Sequence, residues 1–147
     1  MTAEYDRLGL HFLYPENWKL IDDSDNESPR VITLEAPGGG CTWAVHVYPV
    51  NTDADAVLKE TLNSLQVTYE DLEISPLEEE LGGHNASGVE ALFYCLDFLI
   101  RAKLQTVQTP DYFLLFWSQA EDREFDKQEI VFKALAISLL QSLKANS

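Results

Sequence analysis

Cysteine is nearly absent from this 147-residue chain. Cys41 and Cys95 are too few and too far apart for a disulfide framework, and they lack the paired spacing of a zinc or redox site. A reducing compartment suits them. Positive charge is also short: 10 Lys and Arg stand against 25 Asp and Glu, a net charge of −15. With no basic run to displace counterions from phosphates, DNA and RNA are excluded as partners. Long apolar runs are missing too, since no stretch reaches the roughly 18 residues that a membrane span requires. Residues 1–11 lack the basic start and apolar run of a secretory leader, so the expected address is the cytoplasm.

What is present is ordinary for one globular domain: 46% hydrophobic residues, 24% charged, and three Trp, six Tyr and seven Phe to fill a core. A chain of this length buries roughly 70% of its unfolded surface and needs no metal or disulfide to hold it. No linker, repeat or low-complexity segment divides it, so residues 1–147 are read as a single domain.

Period-two alternation marks most of the elements. Gly9 to Pro15 is read as a strand with Leu10, Phe12 and Tyr14 on one face, followed by strands at 17–22 and 30–36 around an acidic loop at 23–29. From Cys41 to Val50, Cys41, Trp43, Val45 and Val47 alternate with Thr42, His46 and Tyr48, the pattern of a half-buried strand. Ala54, Val57, Leu58, Thr61, Leu62 and Leu65 follow helical spacing over 53–66, with Thr52 as the expected N-cap. Three more strands are expected near 70–80, 85–95 and 98–108, with turns at Gly82-Gly83 and Leu96-Asp97. In the last of these, Phe98, Ile100, Ala102 and Leu104 oppose Arg101, Lys103 and Gln105. The run Tyr112 to Trp117 is apolar throughout, as in a central strand covered on both faces, and this demands two covering layers.

A final helix spans about 122–143. Its main stripe is Phe125, Phe132, Ala136, Leu139, Leu140 and Leu143, widened by Val131 and Leu135, and Ile130, Ala134 and Ile137 form a second stripe nearly opposite. The second stripe either meets a loop or the N-terminal segment of the same domain, or offers a surface to a partner or a second copy.

The element order and the run Phe12, Tyr14, Pro15, Trp18 and Lys19, with Phe132, Ile137 and Leu140 in the last helix, resemble the PsbP-like superfamily. That superfamily includes PsbP, a nuclear Ran-binding nucleotide-release factor, and DcrB and Eag-type bacterial proteins. The resemblance implies an α+β fold: an antiparallel sheet of six to eight strands flanked by helices in an α/β/α sandwich. It implies no shared chemistry, and its members mostly bind other proteins.

Chemistry-bearing constellations are thin. His11, His46 and His84 are scattered; His11 and His46 could meet only if their strands pair, and a zinc site would need two more ligands. Gly83 to Gly88 holds a His and a Ser but not the glycine spacing of a nucleophile elbow. Cys95, eleven residues beyond His84, is expected among buried neighbours where a thiol is inert. Gly38-Gly39-Gly40 lacks the Lys of a phosphate loop and reads as a turn. The acidic runs at 22–27, 70–73 and 78–80 read as solvated faces.

No catalytic residue, metal ligand or cofactor is therefore assigned. The favoured function is a non-enzymatic protein-binding or adaptor module with a protein partner of basic character, or a homodimer, engaged through the sheet face or Ile130, Ala134 and Ile137. Two alternatives stand beside it. One is a chaperone-like binder of hydrophobic segments or small apolar ligands built on Trp43, Phe93, Phe113, Phe116 and Trp117. The other is an enzyme using carboxylates with His84 or His46.

Overall fold

The computed structural model describes residues 1–24 and 29–145. Five strands come first: β1 (Thr2–Arg7), β2 (Leu10–Pro15), β3 (Lys19–Asp22), β4 (Arg30–Glu35) and β5 (Cys41–Tyr48). Helix α1 (Ala54–Thr68) follows, then β6 (Glu73–Leu81), β7 (His84–Cys95), β8 (Phe98–Gln108), β9 (Phe113–Glu121) and the closing helix α2 (Asp122–Ala145). Seven strands form one antiparallel sheet in the order β3-β4-β5-β9-β8-β7-β6, while β1 and β2 pair only with each other in the described registers. The fold is α+β, with a sheet size inside the expected range. The expected loop at 23–29 falls largely on residues 25–28, which lie outside the described residues.

The apolar run of β9 sits fourth of seven in the sheet, and Phe113 to Phe116 are all buried. Side chains alternate across a strand, so a run without polar interruption must be covered from both sides. Leu114 and Phe116 face a core built with Trp43, Val45, Ile32 and Leu34, and this core is closed by α2 and the β1–β2 hairpin lying side by side. Phe113 and Leu115 face a second core with Phe93, Ala102 and Leu104, closed by Val57 and Leu65 of α1.

Strand β1 was not expected from the sequence. Its burial pattern explains why: only Tyr5 is buried, and one anchor in six residues gives no readable alternation. Tyr5 stacks on Phe12 at 5.0 Å, and Phe12 meets the edge of Trp43 at 5.5 Å, so the hairpin is held by aromatic contact with the sheet. A polar latch secures its flank: Tyr5 donates to Asp22 Oδ2 at 2.7 Å and Arg7 donates to the same oxygen at 3.1 Å. Arg30 reaches the Tyr5 hydroxyl, the Leu8 carbonyl at 3.2 Å and the Arg7 carbonyl at 2.9 Å. The Ser138 hydroxyl of α2 accepts the Leu13 amide at 3.0 Å, occupying the strand edge that β1 leaves open. Trp18, just past the Tyr14-Pro15 strand end, packs edge-on to Phe132 at 6.3 Å and ties this corner to α2.

The N-cap of α1 is one residue later than expected. Asp53 Oδ1 accepts from the Asp55 amide at 3.0 Å and the Ala56 amide at 3.4 Å, while the Thr52 hydroxyl donates to the Pro49 carbonyl at 2.7 Å.

Gly88 in β7 is required by the sheet itself: a Cβ there would overlap the Leu104 carbonyl oxygen of β8, which is backbone and cannot swing away. Gly88→Ala is expected to cost on the order of 3 kcal/mol of stability by forcing β7 and β8 apart. Urea denaturation checks this; a loss below about 0.5 kcal/mol would show that the pairing tolerates the methyl group.

Candidate functional site

The polar face of β8 does not meet solvent as its alternation would suggest. Arg101, Lys103 and Gln105 point under α2, and Lys103 and Gln105 are buried. Lys103 donates to Glu79 at 3.0 Å and to Glu129 at 2.9 Å, Gln105 donates to Glu79 at 3.1 Å, and Lys133 reaches the other Glu79 oxygen at 3.0 Å. Arg101 holds Asp122 at 2.5 Å and Asp126 at 3.0 Å. The buried Phe125 ring lies beneath both cations, 5.2 Å from Arg101 and 5.7 Å from Lys103.

Burial opposes the charge on Lys103, but Glu129 and Glu79 outweigh it and raise its pKa. Burial likewise opposes the Glu79 carboxylate, and Lys103 and Lys133 more than offset it and hold its pKa down. Glu79 and Lys103 thus hold each other's charge and are not poised to exchange protons with a substrate near neutrality. The space they enclose is about 10 Å³, room for little more than one water. This network is a structural lock between β8, β6 and α2. Of the acidic run at 78–80, read as solvated, the middle residue Glu79 is the one turned inward.

The histidines are not brought together. His11 pairs with Glu4 at 2.7 Å on the hairpin, and His46 lies on the α1 side of the sheet, stacked on Trp117 at 6.1 Å. Burial lowers the His46 pKa, so the ring is neutral at pH 7. His84 stands at the opposite end of β7 from Cys95, and its Nδ1 is buried without a hydrogen-bond partner. Among the described residues no three metal-ligating side chains converge. Cys95 corrects an expectation: its neighbours Tyr94, Leu96 and Phe98 are exposed, not buried.

One open cleft does gather two carboxylates. Glu121 and Glu124 face the Pro37 to Cys41 turn and Trp18 across a space of about 590 Å³. The cleft holds no histidine, and burial together with Glu124 pushes the Cys41 thiol up to about 11, so it remains protonated and a poor nucleophile.

A second cavity, about 420 Å³ and open to solvent, runs between β2 and α2. Leu13, Tyr14 and Pro15 form one wall, and Ile130, Val131, Ala134 and Leu135 the other, with Thr2 and Ser138 at its margins. Ile130 is 76% exposed and Leu13 46%. Two of the three residues of the second helix stripe therefore share this groove. Ile137 does not: its side chain packs toward Gly82 in the β6–β7 turn, where a Cβ would meet it at 3.4 Å. Sequence reading missed Leu13 and Pro15 because the hairpin's position beside α2 has no local signal. The rings proposed for an aromatic groove are core instead: Trp43, Phe93, Phe113 and Phe116 are buried and Trp117 half-buried.

The fold recurs in known structures. The chain superposes on cyanobacterial PsbP (CyanoP) from Synechocystis with a TM-score of 0.65 at 13% identity, over 93% of this chain and 90% of that one. This chain has the PsbP fold. A Pseudomonas aeruginosa protein of unknown function matches with a TM-score of 0.57 at 10% identity over 94% and 95% of the two chains. A Bacteroides thetaiotaomicron protein matches at 0.62 and 10% identity, over 92% of this chain and 46% of the larger one. No family model and no curated protein sequence matches the chain. No described helix is long and apolar enough to cross a membrane.

The lock gives the PsbP fold here a defined acid response. In the folded protein Glu79 stays ionised below its ordinary pKa of 4.5, so its stabilisation is present above that value and lost as pH falls through the lowered one. Asp22 adds to this in the same direction: burial opposes its charge, but hydrogen bonds from Ser24, Tyr5 and Arg7 hold its pKa below 3.8. Glu79→Gln is expected to be less stable than wild type at pH 7 and to lose less on acidification to about pH 3. Urea midpoints across that range check it; parallel pH profiles would contradict the assignment.

Proposed function

We propose that this chain is a non-enzymatic protein-binding module that receives an apolar segment of a partner in the groove between β2 and α2. The observation that carries this reading is the pairing of Ile130, 76% exposed on α2, with Leu13, 46% exposed on β2, across an apolar groove. Large side chains left in water on adjoining elements, rimmed by polar residues, mark interaction surfaces. The groove is open to solvent, which suits an amphipathic helix or an extended peptide laid against its anchors. The Lys103–Glu79–Glu129–Lys133 cluster favours a non-catalytic reading, since these groups are committed to one another around a space too small for a substrate.

A net charge of −15 favours a basic partner, through steering at long range and complementarity at the rim. The same charge disfavours a second copy, because two such surfaces repel at low salt.

Amphipathic helical peptides with a Leu and Ile stripe and a Lys-rich opposite face, titrated into the labelled protein, are expected to shift the amide resonances of Leu13, Ile130, Ala134 and Ser138. Ile130→Asp is expected to weaken that binding at least about tenfold, or ~1.4 kcal/mol, while leaving the unfolding temperature nearly unchanged. Shifts confined to other surfaces, or unaltered affinity in the variant, would overturn the reading.

A further inference from the structure

At one end of the sheet β7 and β8 outrun their neighbours. Strand β6 pairs no further than Glu73 with Leu92, and β9 no further than Glu121 with Ile100. The pairs Tyr94 with Leu99 and Cys95 with Phe98 extend beyond both, so the hairpin projects as a two-stranded finger. Its tip exposes apolar side chains on both faces, with Asp97 as the charged residue of the turn. Tyr94, 67% exposed, and Phe98, 59% exposed, point to opposite faces, and Leu96, 90% exposed, is the apex.

Leu96 also has a φ of 57°, in the left-handed region where its Cβ is crowded and where two-residue hairpin turns select Gly, Asn or Asp. The Gly82-Gly83 turn at the other end of β7 obeys that rule, with φ of 55° and 86°. Leu8 in the β1–β2 turn shares a positive φ of 51°, but Asp6, Arg7 and Gly9 surround it and no apolar cluster forms. At the β7–β8 tip, strain and exposure coincide on one leucine within an aromatic cluster. Neither feature serves folding or solubility.

Carboxylates lie at both ends of the finger: Asp97 in the turn at its tip, and Glu73 and Glu121 at the ends of the flanking strands beside its base. The adjacent Arg101 is already neutralised by Asp122 and Asp126. We propose that the β7–β8 fingertip docks into an apolar socket, rimmed by Lys or Arg, on a protein partner. The charge pattern decides against a lipid surface, because three apolar side chains without a basic residue beside them give weak interfacial binding, and these carboxylates, Asp97 at the tip above all, repel anionic headgroups. The finger shares no residue with the β2–α2 groove, so the two surfaces are independent.

A benzophenone amino acid at position 94, irradiated in an extract of the source cells with membranes retained, tests this against a control at Val67, which is 88% exposed on α1. The expected result is a protein adduct that position 67 does not give, whose crosslinked peptide carries apolar residues flanked by Lys or Arg. Its yield should fall at least about fivefold in ~0.5 M salt. It should fall as far with Leu96→Gly, which removes the strain and so does not lower the unfolding temperature. Ile130→Asp should leave the yield unchanged, which separates this result from the fate of the groove. Adducts shared with position 67, a yield indifferent to salt or to Leu96→Gly, or crosslinking to phosphatidylcholine would each overturn the proposal.

Discussion

Lys103 is a charged side chain buried on a central strand, and the arrangement of the α2 layer follows from the need to keep it paired. A lone ammonium in that position would cost several kcal/mol of desolvation, so the fold must bring carboxylates to it. It does so from two directions, with Glu79 from β6 and Glu129 from α2. Gln105 donates to the same Glu79 oxygen as Lys103, and Lys133 takes the other. Apolar packing alone is non-directional and would tolerate some rotation of α2 about its axis. The ion pairs do not tolerate it, because one residue of slippage turns a helix by about 100° and carries Glu129 away from Lys103.

Fixing that rotation determines what α2 shows to its surroundings. With Phe125, Phe132, Leu139 and Leu140 turned to the sheet, Ile130 and Ala134 face outward beside β2. The β1–β2 hairpin supplies the second wall, held by Tyr5, Phe12 and the Ser138 hydrogen bond. The groove is thus a consequence of two neighbours in one layer, each anchored to the sheet by its own contacts. On the opposite face α1 closes a separate core around Phe93 and Leu115, and the β7–β8 finger extends past both.

The sequence showed these features to the extent that they were local. The unbroken apolar run of β9 announced a central strand, and the alternation from Cys41 to Tyr48 matched its burial residue by residue. The main stripe of α2 was readable at helical spacing for the same reason. Arg101, Lys103 and Gln105 misled, because period-two alternation identifies two faces without saying which meets water when both are covered. Strand β1 carried too few apolar residues to register, and although β2 was read as a strand, its position beside α2 left no local signal. Of Ile130, Ala134 and Ile137, the helical wheel grouped three residues that the tertiary neighbours divide, two facing β2 and one facing Gly82. The turn at Leu96-Asp97 was placed correctly, but its strain is a backbone property that no pattern of side chains reveals.

The claim that the buried charge network sets the placement of α2 is tested most directly by amide hydrogen exchange in Lys103→Met, which keeps the volume of the side chain but leaves Glu79 and Glu129 with only the half-exposed Lys133 as a shared cation. The account predicts faster exchange confined to α2 and the β1–β2 hairpin that leans on it, with α1 and β4–β5 protected as in the wild type. Unchanged protection of α2, or a loss spread evenly over the whole sheet, would contradict it.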